Sequence, residues 1–151
     1  MLFDHPNQNP VLTLAEDQSW QLLSTAELGR LVLVVSGRPD IFPVNFAVQD
    51  RTIVFRTAPG TKLAELTVND QIVFEADAVL PEEGWSVIVR GTAEQLQTSD
   101  ELAAAEALGL ETIVPTVKEH YVRVTPTEIT GRHFLRGPAP EADPGSGSNA
   151  S

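Results

Sequence analysis

The segment Phe55-Arg56-Thr57-Ala58-Pro59-Gly60-Thr61-Lys62-Leu63 holds the residue types of an anion site. A β-branched run ends, a Pro-Gly turn follows and a helical stretch begins. A helix start presents backbone N–H groups that have no acceptor within the helix, together with partial positive charge. Lys62 falls in that first turn, where a cation opposes the helix dipole and acidic residues are the usual choice. Arg56 adds a second cation, and Thr57 and Thr61 add hydroxyl donors. Together they make a cradle for a phosphate. The residues also allow a plainer reading, in which Arg56 and Lys62 are solvated and pair with Glu65 or Asp70.

Other titratable groups are sparse. Glu75 and Asp77 lie two residues apart, on one face of a strand, as a carboxylate pair or as part of a solvated face. The three histidines, His5, His120 and His133, are too far apart in sequence for a zinc helix motif. His133 has a tunable proton but reads as a surface residue near the end of the last strand. There are no cysteines, which excludes disulfides, thiolate metal sites and cysteine nucleophiles.

The elements that must position these residues are mainly strands. Leu31–Val35, Ile41–Val48 and Thr52–Thr57 read as an antiparallel meander, with Gly37 and Gln49-Asp50-Arg51 at the turns. Pro43 requires an edge or a bulge. Gln71–Asp77 and Trp85–Leu96 follow, joined by the turn Pro81–Gly84, and the last strand starts at His120–Val124 and resumes at Glu128–Thr130. Helices are short. One runs from Ala15 to Leu23, with Trp20 and Leu23 on one face. Ser24-Thr25-Ala26-Glu27 has capping-box form and predicts a further helical turn ending at Gly29. Thr98-Ser99-Asp100-Glu101 has the same form and opens a helix that Gly109 stops. A third helix runs from Pro59 or Gly60 to Leu66. The expected fold is mainly β: a six-stranded antiparallel barrel with short peripheral helices, filled by its own side chains. A ligand must then bind outside the barrel, where two subunits meet. Residues 1–13 read as an N-terminal arm, 14–136 as the domain and 137–151 as a disordered Gly/Pro/Ser-rich tail.

The 151 residues carry a net charge of −11, and 42% are hydrophobic. The hydrophobic content supports a core. The charge argues against a nucleic-acid binder or docking on an anionic membrane. The longest apolar run, Leu31–Val35, is too short to span a bilayer. The start, Met1-Leu2-Phe3-Asp4-His5-Pro6, lacks the basic and apolar stretches of a signal peptide, so the expected location is the cytoplasm.

Three segments together resemble a known family. Gly37-Arg38-Pro39-Asp40-Ile41-Phe42-Pro43-Val44-Asn45-Phe46 is similar to the strand pair that opens the FMN-binding split barrels of the pyridoxamine 5′-phosphate oxidase-like superfamily. Val54–Leu63 resembles its phosphate-binding strand and helix, and Gly84–Ala93 its long central strand. The likeness spans roughly residues 14–131 and rests on order and spacing, since no single motif is diagnostic. It implies a homodimer with flavins in grooves between subunits and an FMN-dependent oxidoreductase acting on a small planar substrate. By that pattern Arg56, Thr57, Thr61 and Lys62 hold the FMN phosphate. Val44, Asn45 and Phe46 lie along the isoalloxazine ring, with their backbone groups at its pyrimidine edge. Trp85 and Ser86 approach from the partner chain, and Arg132 and His133 are weaker candidates there. The family's C-terminal signature for the pyridoxal substrate is not visible in Gly131–Gly137, so vitamin B6 oxidation does not carry over. Three alternatives stay open: a deazaflavin coenzyme in the same groove, a non-catalytic flavin or haem carrier with His120, His133 or Tyr121 as axial ligand, and a barrel dimer without cofactor.

Overall fold

The computed structural model of the protein describes residues 3–110 and 120–138. Among them are seven strands: β1 (Val11–Thr13), β2 (Leu28–Val35), β3 (Arg38–Gln49), β4 (Thr52–Thr57), β5 (Gln71–Val79), β6 (Glu83–Gln95) and β7 (His120–Leu135). Three helices connect them: α1 (Glu16–Leu23), α2 (Thr61–Val68) and α3 (Ser99–Glu106). The strand order is β1-β7-β4-β3-β2-β5-β6, and β6 pairs again with β7. That last pairing closes six strands into the expected ring. The seventh strand, β1, lies within the segment read as an arm and pairs antiparallel with β7, Leu12 opposite His133.

Every pairing is antiparallel, so cross-strand neighbours share a face. On β2 the odd positions Leu31 and Leu33 turn inward at 0% and 1% exposure. Their partners Phe42 and Asp40 belong to β3, whose Val44 and Phe46 also turn inward. Phe55, Phe74, Val87, Val89 and Val122 complete the interior, with Phe46 edge-on to Phe74 at 4.7 Å between centroids. A second cluster on the other face of β4 joins Val54, Leu96, Ala105, Leu110 and Tyr121 beneath α3.

Local signals set most boundaries. Thr98 caps α3, its hydroxyl accepting from the Glu101 N–H, and Gly109 adopts a positive φ of 67° just past the helix. At Ser24–Glu27 the expected helical turn does not form. Ser24 Oγ donates to the Trp20 carbonyl and Thr25 Oγ1 to the Leu22 carbonyl. The hydroxyls therefore close the end of α1 instead of opening a new turn. Gly29 is not a helix stop but a strand residue of β2. A Cβ there would sit 2.3 Å from the Phe74 ring, so only glycine admits that ring. Pro43 sits in the half of β3 that pairs with β2 but not with β4, consistent with its missing N–H. Among the described residues no helix is long and apolar enough to cross a membrane. Of the expected tail, residues 139–151 lie outside the described residues.

Candidate functional site

β3 changes partners in mid-strand. Its pairing with β2 ends at Leu28–Asn45, and its pairing with β4 begins at Phe46–Phe55. Two ribbons diverge at that point, and a groove of about 420 Å³ opens beside it, lined by Ser24, Glu27, Asn45, Phe46 and the Leu108–Leu110 loop. Val44 and Phe46 point inward at 2% and 3% exposure. Phe46 still lines the groove and Val44 does not, while Asn45 faces the other way. The Phe46 N–H is already taken by the Glu27 carbonyl at 3.0 Å.

Arg56 stands on the face of β4 opposite Phe55. One Nη donates to the Leu110 carbonyl at 2.8 Å, and the guanidinium lies 5.9 Å from the Tyr121 ring centroid. Leu110 also lines the groove at Asn45. The structure thus joins Arg56 and Asn45 through one loop residue. Thr57 is buried, and its hydroxyl donates weakly to the Ala58 carbonyl at 3.3 Å.

Thr61 and Lys62 form the first turn of α2, which contains no acidic residue. Lys62 does not pair with Glu65 or Asp70. Its Nζ lies 5.5 Å from the Phe42 ring centroid, and among the described residues it forms no ion pair. Partial burial pulls its pKa below the ordinary 10.5. Glu65 faces Asp40 instead. The hydrogen bond between the two carboxyls, then burial and the Asp40 charge, hold Glu65 above its ordinary range, while the Arg38 charge acts the other way.

Trp85 and Ser86 alternate across β6. Trp85 turns inward at 3% exposure and packs in the main core, between Ala78 and His133 on the flanking strands. Ser86 turns outward, opposite Asp77 and Arg132. Cross-strand register puts Asn45 and Leu28, then Pro43, Arg30, Glu75 and Ile88, then Asp77, Ser86 and Arg132, on one outer sheet face.

Arg30 was not evident as a site residue from sequence. Its Nη2 donates at 2.6 Å to both Glu75 Oε1 and Asp77 Oδ2. The two carboxylates therefore form one cluster with a single cation. Burial, then the neighbouring Asp77, push Glu75 up to about 7 despite Arg30. Asp77 moves the opposite way, held low first by its bond with Glu75 and then by Arg30.

The histidines differ from expectation. His133 is not at the surface: it is 0% exposed and contacts His5 and Glu83. His120 Nδ1 is engaged by the Gln95 amide at 2.5 Å. Tyr121 is 8% exposed beneath Arg56. The three residues that could ligate a haem iron are thus held by protein contacts. No group of metal-ligating side chains is present among the described residues.

A family model for pyridoxamine 5′-phosphate oxidase matches residues 15–133. The chain belongs to the pyridoxamine 5′-phosphate oxidase family. Its closed ring of strands and open groove are the split barrel that the resemblance implied. Among solved members, a Corynebacterium glutamicum protein described as a candidate pyridoxamine 5′-phosphate oxidase is 44% identical with a TM-score of 0.78, covering 87% of this chain and 98% of its own. An FAD-binding protein from Mycobacterium smegmatis is 47% identical with a TM-score of 0.71, covering 82% and 98%. An uncharacterised Mycobacterium tuberculosis protein is 48% identical over 94 residues, 62% of this chain and 86% of that relative. Asn45 shares the outer sheet face with Ser86 and Arg132.

Proposed function

We propose that this family member binds a flavin nucleotide and serves as a flavin-dependent oxidoreductase for a small planar substrate. The observation that carries the reading is Lys62: a partly desolvated ammonium at a helix start, without a carboxylate partner among the described residues. An anion placed there would satisfy the lysine and the first-turn N–H groups of α2 together. Thr61 would donate from the same turn. Arg56 and Thr57, at the end of β4, would hold the other side of the phosphate.

The ring would lie along the groove at Asn45 and Phe46. Val44 and Phe46 would back the ring from the core. A bound flavin supplies hydride or electron transfer, while the protein orients the ring and excludes water. FMN and FAD share the phosphate that the clamp would hold. The Mycobacterium smegmatis relative, named for binding FAD, favours the longer nucleotide as the second reading.

The reading includes a homodimer. Leu28, Val34 and Ile41 are 49%, 40% and 64% exposed on the outer face of β2 and β3. A second copy would cover this apolar strip and bring Ser86 and Arg132 to its partner's groove. The test is direct. Purified protein is scanned for flavin absorption and then titrated with FMN, FAD and riboflavin. Binding of the nucleotides well above riboflavin supports the reading, and no binding of any of the three rejects it. Light scattering reads the dimer separately.

A further inference from the structure

Cross-strand register divides the outer sheet face into rows. Ile41, Val32, Val73, Arg90 and Glu128 form one row from β3 to β7. Pro43, Arg30, Glu75 and Ile88 form the next, and Asp77, Ser86 and Arg132 lie in the row beyond it. Across these rows Arg30, Arg90 and Arg132 stand against Glu75, Asp77 and Glu128. This part of the face is therefore balanced in charge, in a chain whose net charge is −11. Two copies of so acidic a chain repel each other, and a balanced face flanked by exposed Leu28, Val34 and Ile41 lets them meet.

At the centre of this face one guanidinium serves two carboxyl groups. Arg30 Nε and Nη2 donate to Glu75 Oε1 at 2.9 and 2.6 Å, and Nη2 also donates to Asp77 Oδ2 at 2.6 Å. The Glu75 and Asp77 carboxyls are themselves within hydrogen-bonding reach. Two carboxyl groups bond to each other only when one of them carries a hydrogen. With that hydrogen the cluster is neutral: one guanidinium, one carboxylate and one carboxylic acid. Without it the cluster has one negative charge. Burial, then Asp77, push Glu75 up to about 7, whereas Asp77 is held low, first by its bond with Glu75. The hydrogen therefore belongs to Glu75. Water still reaches the cluster, because Arg30, Glu75 and Asp77 are 39%, 25% and 43% exposed. Among the described residues the other charged groups near it are Arg132, beyond Ser86 from Asp77, and Arg90, which faces Glu128 at 4.0 Å. β3 presents Pro43 and Asn45 on this face and β6 presents Ser86 and Ile88, none of which titrates.

Building on the homodimer reading above, we propose that the Arg30–Glu75–Asp77 cluster is a proton-operated lock on the contact between two copies, which associate with Glu75 protonated and separate as it ionises. In a twofold contact the same patch is covered on both copies, so both clusters lose water together. Covering the neutral cluster costs little, whereas covering the ionised one strands an extra charge away from water. Around and above pH 7, association therefore takes up a proton on each copy. Ser86 and Arg132 lie on the covered face, so the same proton would govern whether the flavin groove is completed.

Sedimentation equilibrium of the full chain over a dilution series at about pH 6, 7.5 and 9 tests the lock, with circular dichroism to follow the fold. The dissociation constant should rise by roughly ten- to a hundredfold from the lowest pH to the highest, since a rise of about one pKa unit on association is a factor of ten for each copy. Glu75→Gln is neutral at every pH and can still bond Arg30 and Asp77, so it should keep the low-pH constant throughout. Asp77→Asn should also stay tight at the highest pH, because Glu75 then ionises beside Arg30 in a neutral cluster. A wild-type dimer whose constant is flat with pH overturns the lock and leaves the homodimer reading standing. A monomer at every pH overturns both. A wild-type slope retained in Glu75→Gln, or loss of the fold at the highest pH, overturns the lock as well.

Discussion

Lys62→Met isolates the charge on which the proposed phosphate clamp depends. Methionine keeps an unbranched apolar stem beside Phe42 and removes the ammonium. In the free protein that ammonium is partly desolvated and has no ion pair among the described residues, so its removal should leave the melting temperature unchanged or slightly raised. In the complex the same group would make a charge-assisted hydrogen bond, worth about 1.5–3 kcal/mol. FMN affinity should therefore fall by roughly ten- to a hundredfold, since about 1.4 kcal/mol is a factor of ten. Riboflavin lacks the phosphate, and its affinity should change by less than about twofold. A proton linkage accompanies the effect. Burial lowers the Lys62 pKa in the free protein and a bound phosphate would raise it, so wild-type FMN affinity should weaken as pH rises through the free-protein value, below 10.5. Lys62→Met should lack that slope. Fluorescence titration of both ligands against both proteins gives all four constants. Equal losses for FMN and riboflavin, or no loss for either, would refute the clamp. Arg56→Ala is less informative, because it also breaks the bond to Leu110 and should lower stability.

Three further outcomes are expected. Glu75, pushed up to about 7 from an ordinary 4.5, holds a proton that the unfolded chain releases, so its contribution to stability is lost as pH rises across that window. Glu75→Gln should therefore gain on wild type by about 1 kcal/mol between pH 5 and pH 8 after solvent screening, and equal differences at both pH values in paired thermal melts would contradict this. Gly91 sits at the bulge of β6, where a Cβ would lie 2.3 Å from the Thr125 carbonyl oxygen. Gly91→Ala should cost about 2–3 kcal/mol in urea unfolding, and a neutral result would mean that the bulge relaxes freely. Ile41→Asp places a charge on the exposed apolar strip and should shift light scattering from dimer to monomer without unfolding the barrel, whereas an unchanged mass would move the interface elsewhere.

Much of the strand order could be read from the chain alone, because it depends on neighbours in sequence. β-branched runs interrupted by Gly37 and Asp50 mark the meander, Pro81 marks the turn between the next two strands, and Thr98 marks the start of α3 whatever surrounds it. The Arg56–Lys62 segment was also legible, since a strand end, a turn and a helix start are local events. Other features arose only when distant strands met. Period-two alternation separates Trp85 from Ser86, but ring closure decided which of them faces the core. The groove beside Asn45 exists because β3 exchanges β2 for β4 there, and no local signal marks that exchange. Ser24–Glu27 has the composition of a helix start, yet its hydroxyls bond backward to α1 once the chain must turn into β2. His5 and His133 are 128 residues apart and became partners only when β1 lay along β7. Local propensity acts over a few bonds, whereas burial and proton sharing depend on which surfaces the closed barrel brings into contact.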